Sequence, residues 1–238
     1  MRDGLRALLD LVLPVACGGC GAPGPAWCRH CAVLLGPPVR VHPPCCPARP
    51  PVYVLGGYQG RLRAALLAYK EQGRRDLAVP LGGALAAALV RLPPESGGPC
   101  RVPGLPAPAP AGLCLVPVPS RWAAAARRGG QHVALLADRA AAVLAGAGIP
   151  AAVAPALRMA HGARDSVGLD RRARQANLEG RVVLRPAGLP PVGASVVLVD
   201  DVVTTGTTAA VCAARLLQVG VEVAAIVALA GVERHPPS

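Results

Sequence analysis

Two apolar spacings take turns along the chain once past residue 51. Short continuous apolar runs at 52–55, 113–119, 151–157, 181–185, 196–199 and 221–230 predict strands. Continuity of this kind suits strands covered on both faces. Between them, 60–72, 77–91, 131–145 and 209–218 repeat apolar residues on one face, as Leu62, Ala65, Leu66 and Tyr69 do, and predict helices. Strand and helix alternate, so the expected fold class is α/β: a parallel sheet flanked by helices on both faces. The Pro/Gly-rich residues 93–112 read as an extended surface insertion within one domain. Residues 158–180 form a polar segment rich in arginine, including Arg171, Arg172 and Arg174. The first fifty residues differ in composition, so the expected units are 1–50 and 51–238.

Composition changes this picture in two places. Hydrophobic residues make up 53% of the chain but aromatics only 2%, with no Phe, so Ala, Val and Leu must fill the core. The formal net charge of +12 invites a polyanion, whether nucleic acid, phosphorylated ligand or anionic membrane. Lys70 is the only lysine, and the arginine excess accompanies abundant Ala, Gly and Pro, the pattern of a GC-rich genome. Part of the charge is therefore coding bias. Trp27, Trp122, Tyr53, Tyr58 and Tyr69 are the only aromatics, too few for a groove that stacks successive bases. Contact with a nucleic-acid backbone remains open. Residues 5–16 are apolar but interrupted by Arg6 and Asp10 and broken by Pro14, which favours an amphipathic helix over a secretory leader. No later run reaches the ~18 apolar residues of a membrane span, and a cytoplasmic location is expected.

The chemistry concentrates in residues 196–208, Val-Val-Leu-Val-Asp-Asp-Val-Val-Thr-Thr-Gly-Thr-Thr. A buried strand runs into Asp200 and Asp201, then into a hydroxyl-rich turn around Gly206, then into a helix. Ligands of parallel sheets gather beyond the carboxyl ends of the strands. Gly206 permits a tight turn that brings the amides of 204–208 to a common point, and the following helix dipole favours an anion there. Thr204, Thr205, Thr207 and Thr208 supply hydroxyls. Two adjacent carboxylates accept hydrogen bonds from a diol or hold a divalent cation. A ribose 5-phosphate offers both ends. The string resembles the phosphoribosyl pyrophosphate (PRPP) signature of type I phosphoribosyltransferases. It lacks the P-loop pattern of nucleotide-binding proteins and the glycine triplet of a dinucleotide site.

Six of the nine cysteines crowd into residues 17–46. Cys17 and Cys20 form one Cys-x-x-Cys pair, and Cys28 and Cys31 a second, which is tetrahedral thiolate zinc spacing. With so little apolar sequence around them, the metal would supply the folding energy. Cys45 and Cys46 are adjacent and suit one tetrahedral ion poorly, with His42 a helper for a second site. Cys100, Cys114 and Cys212 are isolated and read as small core or loop residues.

Five features in order are similar to the ComF family of phosphoribosyltransferase-like proteins: the cysteine pairs; Tyr58-x-Gly60-x-Leu-Arg63 leading to Lys70; Val-Pro-Val-Pro ending at Pro119; Arg128-Gly129; and Leu169, Arg174 and Asn177 ahead of the acidic string. The resemblance covers nearly the whole chain. It implies a type I phosphoribosyltransferase fold with a small N-terminal zinc-ribbon domain holding Zn²⁺ on Cys17, Cys20, Cys28 and Cys31. It also implies PRPP as ligand with Mg²⁺, and a link to DNA uptake, with single-stranded DNA and competence proteins as partners. On that resemblance Asp200 and Asp201 are the catalytic acids, meeting the ribose hydroxyls and Mg²⁺. Thr204, Thr205, Gly206, Thr207 and Thr208 would cradle the 5-phosphate; on charge and position alone, Lys70, Arg121 and Arg128 are candidates for the pyrophosphate side. The chain departs from the family at Gly130-Gln131-His132, where Phe-Asn-Gln is common, and at Ser166. No general base for an acceptor is identifiable beyond the candidates His132 and His161. Two functions follow: transfer of the phosphoribosyl group, or a non-catalytic module that senses PRPP and handles single-stranded DNA.

Overall fold

The computed structural model describes residues 16–93, 112–119, 131–160 and 180–232. Among the described residues eight strands form in chain order: β1 (Val39–Val41), β2 (Val52–Val54), β3 (Leu113–Pro117), β4 (Ala151–Val153), β5 (Leu157–Met159), β6 (Val182–Leu184), β7 (Ser195–Val203) and β8 (Val223–Gly231). The longer helices are α1 (Gly60–Glu71), α2 (Ala78–Leu89), α3 (His132–Gly146) and α4 (Thr207–Leu217). Six strands make one sheet in the order β1-β2-β8-β7-β3-β4, parallel except at β1. Among the described residues no helix is long and apolar enough to cross a membrane.

The continuous apolar runs are explained by the two faces of this sheet. Val197 and Val199 of β7, Ala225, Val227 and Leu229 of β8, and Leu113 and Leu115 of β3 face one core. Leu62, Leu66, Leu81, Leu85, Leu136 and Ala140 of α1, α2 and α3 complete it. Val196 and Leu198, Ile226 and Ala228, and Cys114 and Val116 face the other, against Val211, Cys212 and Leu216 of α4 and the β5–β6 ribbon. Both faces being covered, each strand position must be apolar, whichever way its side chain points. Leucine supplies most of the bulk: all twelve of the largest fully buried side chains are leucines.

Three elements differ from expectation. The run 151–157 is two strands, because Pro155 has no N–H for a ladder. Its second half, β5, leaves the sheet and pairs antiparallel with β6, so the expected strand at 181–185 is a ribbon partner rather than a sheet member. Val39–Val41, inside the first fifty residues, pairs antiparallel with Val52–Val54 and adds an edge to the sheet. The expected insertion at 93–112 and the helix at 5–16 fall almost wholly outside the described residues.

Candidate functional site

Adjacent residues of a strand point to opposite faces, and Asp200 and Asp201 obey that rule. Asp201 follows Val197 and Val199 onto the face carrying α1 and α3. There its Oδ2 lies 2.9 Å from His132 Nε2 and 3.2 Å from Lys70 Nζ. His132 opens α3 and Lys70 sits in the last turn of α1. The Tyr69 hydroxyl ties those two ends together by donating to the His132 carbonyl at 2.7 Å. The Tyr69 ring also meets the His132 ring edge-on, with centroids 6.0 Å apart. A carboxylate can only accept, so His132 Nε2 carries the shared hydrogen. His132 Nδ1 is buried and has no hydrogen-bond partner among the described residues.

Asp201 is 3% exposed. Its burial alone would raise the carboxyl, but the hydrogen bond from His132 and the charge of Lys70 outweigh it and hold the group well below its ordinary value. Asp200 has the opposite environment. It lies on the α4 face, keeps part of its surface open, and uses Oδ1 to accept the Asp201 N–H at 2.8 Å. Burial, then the neighbouring Asp201 charge, push its carboxyl well above the ordinary carboxylate range. The two acids are therefore unequal: one is buried and held by His132 and Lys70, the other is half-buried with its carboxyl raised.

Strand lengths set where the two acids stand. The β3–β7 register ends at Pro117 opposite Val199, closed by the Val118 N–H on the Val199 carbonyl at 2.8 Å. On its other side β7 stays paired to β8 through Val203 and Gly231. Both acids thus lie past the end of β3, at the carboxyl side of the sheet. Beyond them Gly206 takes φ +77°, a left-handed conformation open to glycine, and caps α4 without a side chain. Thr205 Oγ1 and Thr207 Oγ1 are 2.9 Å apart, while Thr204 is exposed and Thr208 is half-buried. The leading amides of α4 need acceptors that the helix cannot supply.

A second segment lies over this turn, which the spacing of the sequence did not reveal. Cys45 N–H donates to the Thr205 carbonyl at 2.9 Å and the Cys46 thiol to the Gly206 carbonyl at 3.3 Å. A side chain at Gly206 would run into Cys46 Sγ and Pro43. Of the residues expected at a pyrophosphate end, Lys70 is turned to Asp201, while Arg121 and Arg128 lie outside the described residues, as do His161, Leu169, Arg174, Asn177 and the arginines at 171 and 172. The role of His132 had no local signal, since its partner is 69 positions away.

The four cysteines of the two pairs come together. The sulfurs of Cys17, Cys20, Cys28 and Cys31 all lie within 4.8 Å of one another, and Cys20 and Cys28 are 3.7 Å apart. A tetrahedron with Zn–S bonds of ~2.3 Å has edges of ~3.8 Å, so the set fits structural zinc. The backbone is shaped around it: a Cβ on Gly19 would stand 2.9 Å from both Cys31 Sγ and the Trp27 ring. Burial raises the Cys17 thiol, but N–H groups of Cys20, Cys28 and Gly19 outweigh it and hold it down to about 6. Burial and the neighbouring sulfurs push Cys31 up. Purified protein is expected to hold one zinc per chain by elemental analysis, with Cys31→Ser losing it. Chelation should lower the melting temperature, because metal-binding energy is folding energy in such units.

No protein-family model matches the chain, and no curated protein matches it. Fold and sites together define a mixed α/β protein, with a mostly parallel central sheet flanked by helices and a four-cysteine cluster that can bind zinc.

Proposed function

We propose that this protein binds PRPP with Mg²⁺ as a ComF-type member of the type I phosphoribosyltransferase fold, and transfers the phosphoribosyl group to an acceptor with release of pyrophosphate. One observation carries the reading: a half-buried carboxylate, Asp200, and a left-handed glycine turn lie at the same end of one parallel strand. That pairing suits a ligand with a diol at one end and a phosphate at the other. Asp200 accepts from the ribose hydroxyls or holds Mg²⁺, and the amides of Thr207 and Thr208 meet the 5-phosphate. Asp201, with His132 and Lys70, holds the strand end in place. Charge that opens on the sugar carbon as pyrophosphate leaves is stabilised by the metal and nearby cations.

A specific observation also favours the second reading, a module that handles single-stranded DNA. Arg29, His30 and Arg61 line an open recess of about 820 Å³ beside Cys20 and Cys28. Among the described residues no acid lines it, and a sugar-phosphate backbone suits it.

Titration calorimetry with PRPP and Mg²⁺ tests the first reading. Gly206→Ala is expected to weaken binding at least about tenfold. A left-handed alanine costs ~1–2 kcal/mol, the collision with Cys46 adds to it, and ~1.4 kcal/mol is tenfold. Absence of PRPP binding by the wild type removes the proposal. Salt-sensitive binding of single strands, lost in Arg29→Ala/Arg61→Ala, is the outcome that favours the module.

A further inference from the structure

The segment laid across the Thr205–Gly206 turn carries two neighbouring thiols that the site described above does not use. Each of the two residues holds the turn by one hydrogen bond, from Cys45 N–H to the Thr205 carbonyl and from Cys46 Sγ–H to the Gly206 carbonyl. Metal binding does not account for the pair: among the described residues the only grouping of metal-type ligands is the four-cysteine cluster. Both thiols are half-buried. Cys45 also lines an open cavity of about 430 Å³ with Pro47, Ala210, Ala214, Arg215 and Gln218. That volume admits part of a small peptide-sized reagent, and the Arg215 guanidinium on its wall favours an anionic one.

We propose that Cys45 and Cys46 are a thiol-oxidation site for a small anionic disulfide of the glutathione type, and that their redox state sets the shape of the phosphate turn. The functional consequence rests on the PRPP reading given above. Cys45, facing the cavity, attacks one sulfur of the reagent as its thiolate, forming a mixed disulfide and releasing one small thiol. Cys46 then attacks the Cys45 sulfur and expels the second small thiol. Two electrons pass from the cysteine pair to the reagent, and the two thiol protons leave with the two small thiols.

The product is a disulfide between adjacent residues. Consecutive Cα atoms are 3.8 Å apart across a trans peptide, short of the ~4.4–6.8 Å that disulfides span. The backbone at 45 and 46 must therefore turn. Cys46 no longer has a hydrogen for Gly206, and Cys45 N–H swings away from Thr205. The strain that moves the backbone also makes the bond easy to reduce, which makes the change reversible.

The test uses the full chain with the four-cysteine cluster loaded with zinc. Glutathione disulfide is added, and peptides are mapped by mass spectrometry without reduction. The expected result is loss of two hydrogens from the peptide holding Cys45 and Cys46, with zinc retained. Amide exchange at residues 204–208 should speed up, PRPP affinity should fall about tenfold, and dithiothreitol should restore both. Neither Cys45→Ser nor Cys46→Ser should form the disulfide within the chain, and Cys46→Ser should instead retain one small thiol on Cys45. If no disulfide forms between the two, or if it forms and amide exchange at 204–208 is unchanged, the proposal is overturned. Should the reduced protein fail to bind PRPP at all, the ligand reading falls, and the exchange measurement alone decides the oxidation site.

Discussion

Asp200→Asn is expected to produce a protein that melts higher and binds PRPP about a hundredfold more weakly. Both effects have one cause. Burial and the Asp201 charge raise the Asp200 carboxyl in the folded state. An acid whose folded value exceeds its unfolded one contributes stability in full below the unfolded value, ~4, and loses it as pH rises through the folded value. That contribution shrinks as pH rises toward neutrality, whereas the amide does not titrate. The variant should therefore melt higher than the wild type at neutral pH. Calorimetric scans from pH 4 to 8 should show the two proteins diverging as pH rises. The same substitution removes the charged acceptor for a diol, where each hydrogen bond to a charged group contributes ~1.5–3 kcal/mol. Unchanged PRPP affinity would strip Asp200 of its assigned role, and an unchanged melting temperature would show that burial does not strain the acid.

Asp201→Asn should do the reverse, one position along. Its carboxyl is depressed, so its stabilisation is present above the unfolded value and is lost as pH falls through the folded one. Removing one partner of a buried ion pair costs ~3–5 kcal/mol. The Lys70 side chain is 35% exposed, and water screens its share, so about 2–3 kcal/mol is expected. The urea midpoint should drop at pH 7, and the gap should close in acid as the wild type loses its charge. His132→Ala should destabilise by a similar amount. The two together should cost less than their sum, since both remove the same contact. Equal and small effects from both acidic substitutions would mean that the two carboxylates share one environment, contrary to their opposite faces.

The order of strands and helices was legible because burial on both faces writes continuous apolar runs into β7 and β8, and one-sided burial writes a helical period into α1. The cysteine cluster was legible for a local reason: two Cys-x-x-Cys turns fix four sulfurs within a few residues. What the sequence hid was settled by distant partners. Asp200 and Asp201 read as a matched pair, although the period of two along a strand already separates their faces. Only the fold brings His132 and Lys70 to one of them. Val39-Arg40-Val41 is too short to show any period, being flanked by Pro37-Pro38 and Pro43-Pro44, and becomes a strand because β2 offers it a free edge. The contact of Cys45 and Cys46 with Thr205 and Gly206 spans 160 positions and has no local trace.

Both outermost strands, Val39–Val41 and Ala151–Val153, are only three residues long, while the nine-residue β7 and β8 run inside. Short borders with a charged residue such as Arg40 leave little template for another chain to zip onto. Cutting the polypeptide just before residue 51 would therefore not free a tidy α/β fragment. It would uncover the fully apolar flank of Val52–Val54 and turn a protected sheet into a self-associating one.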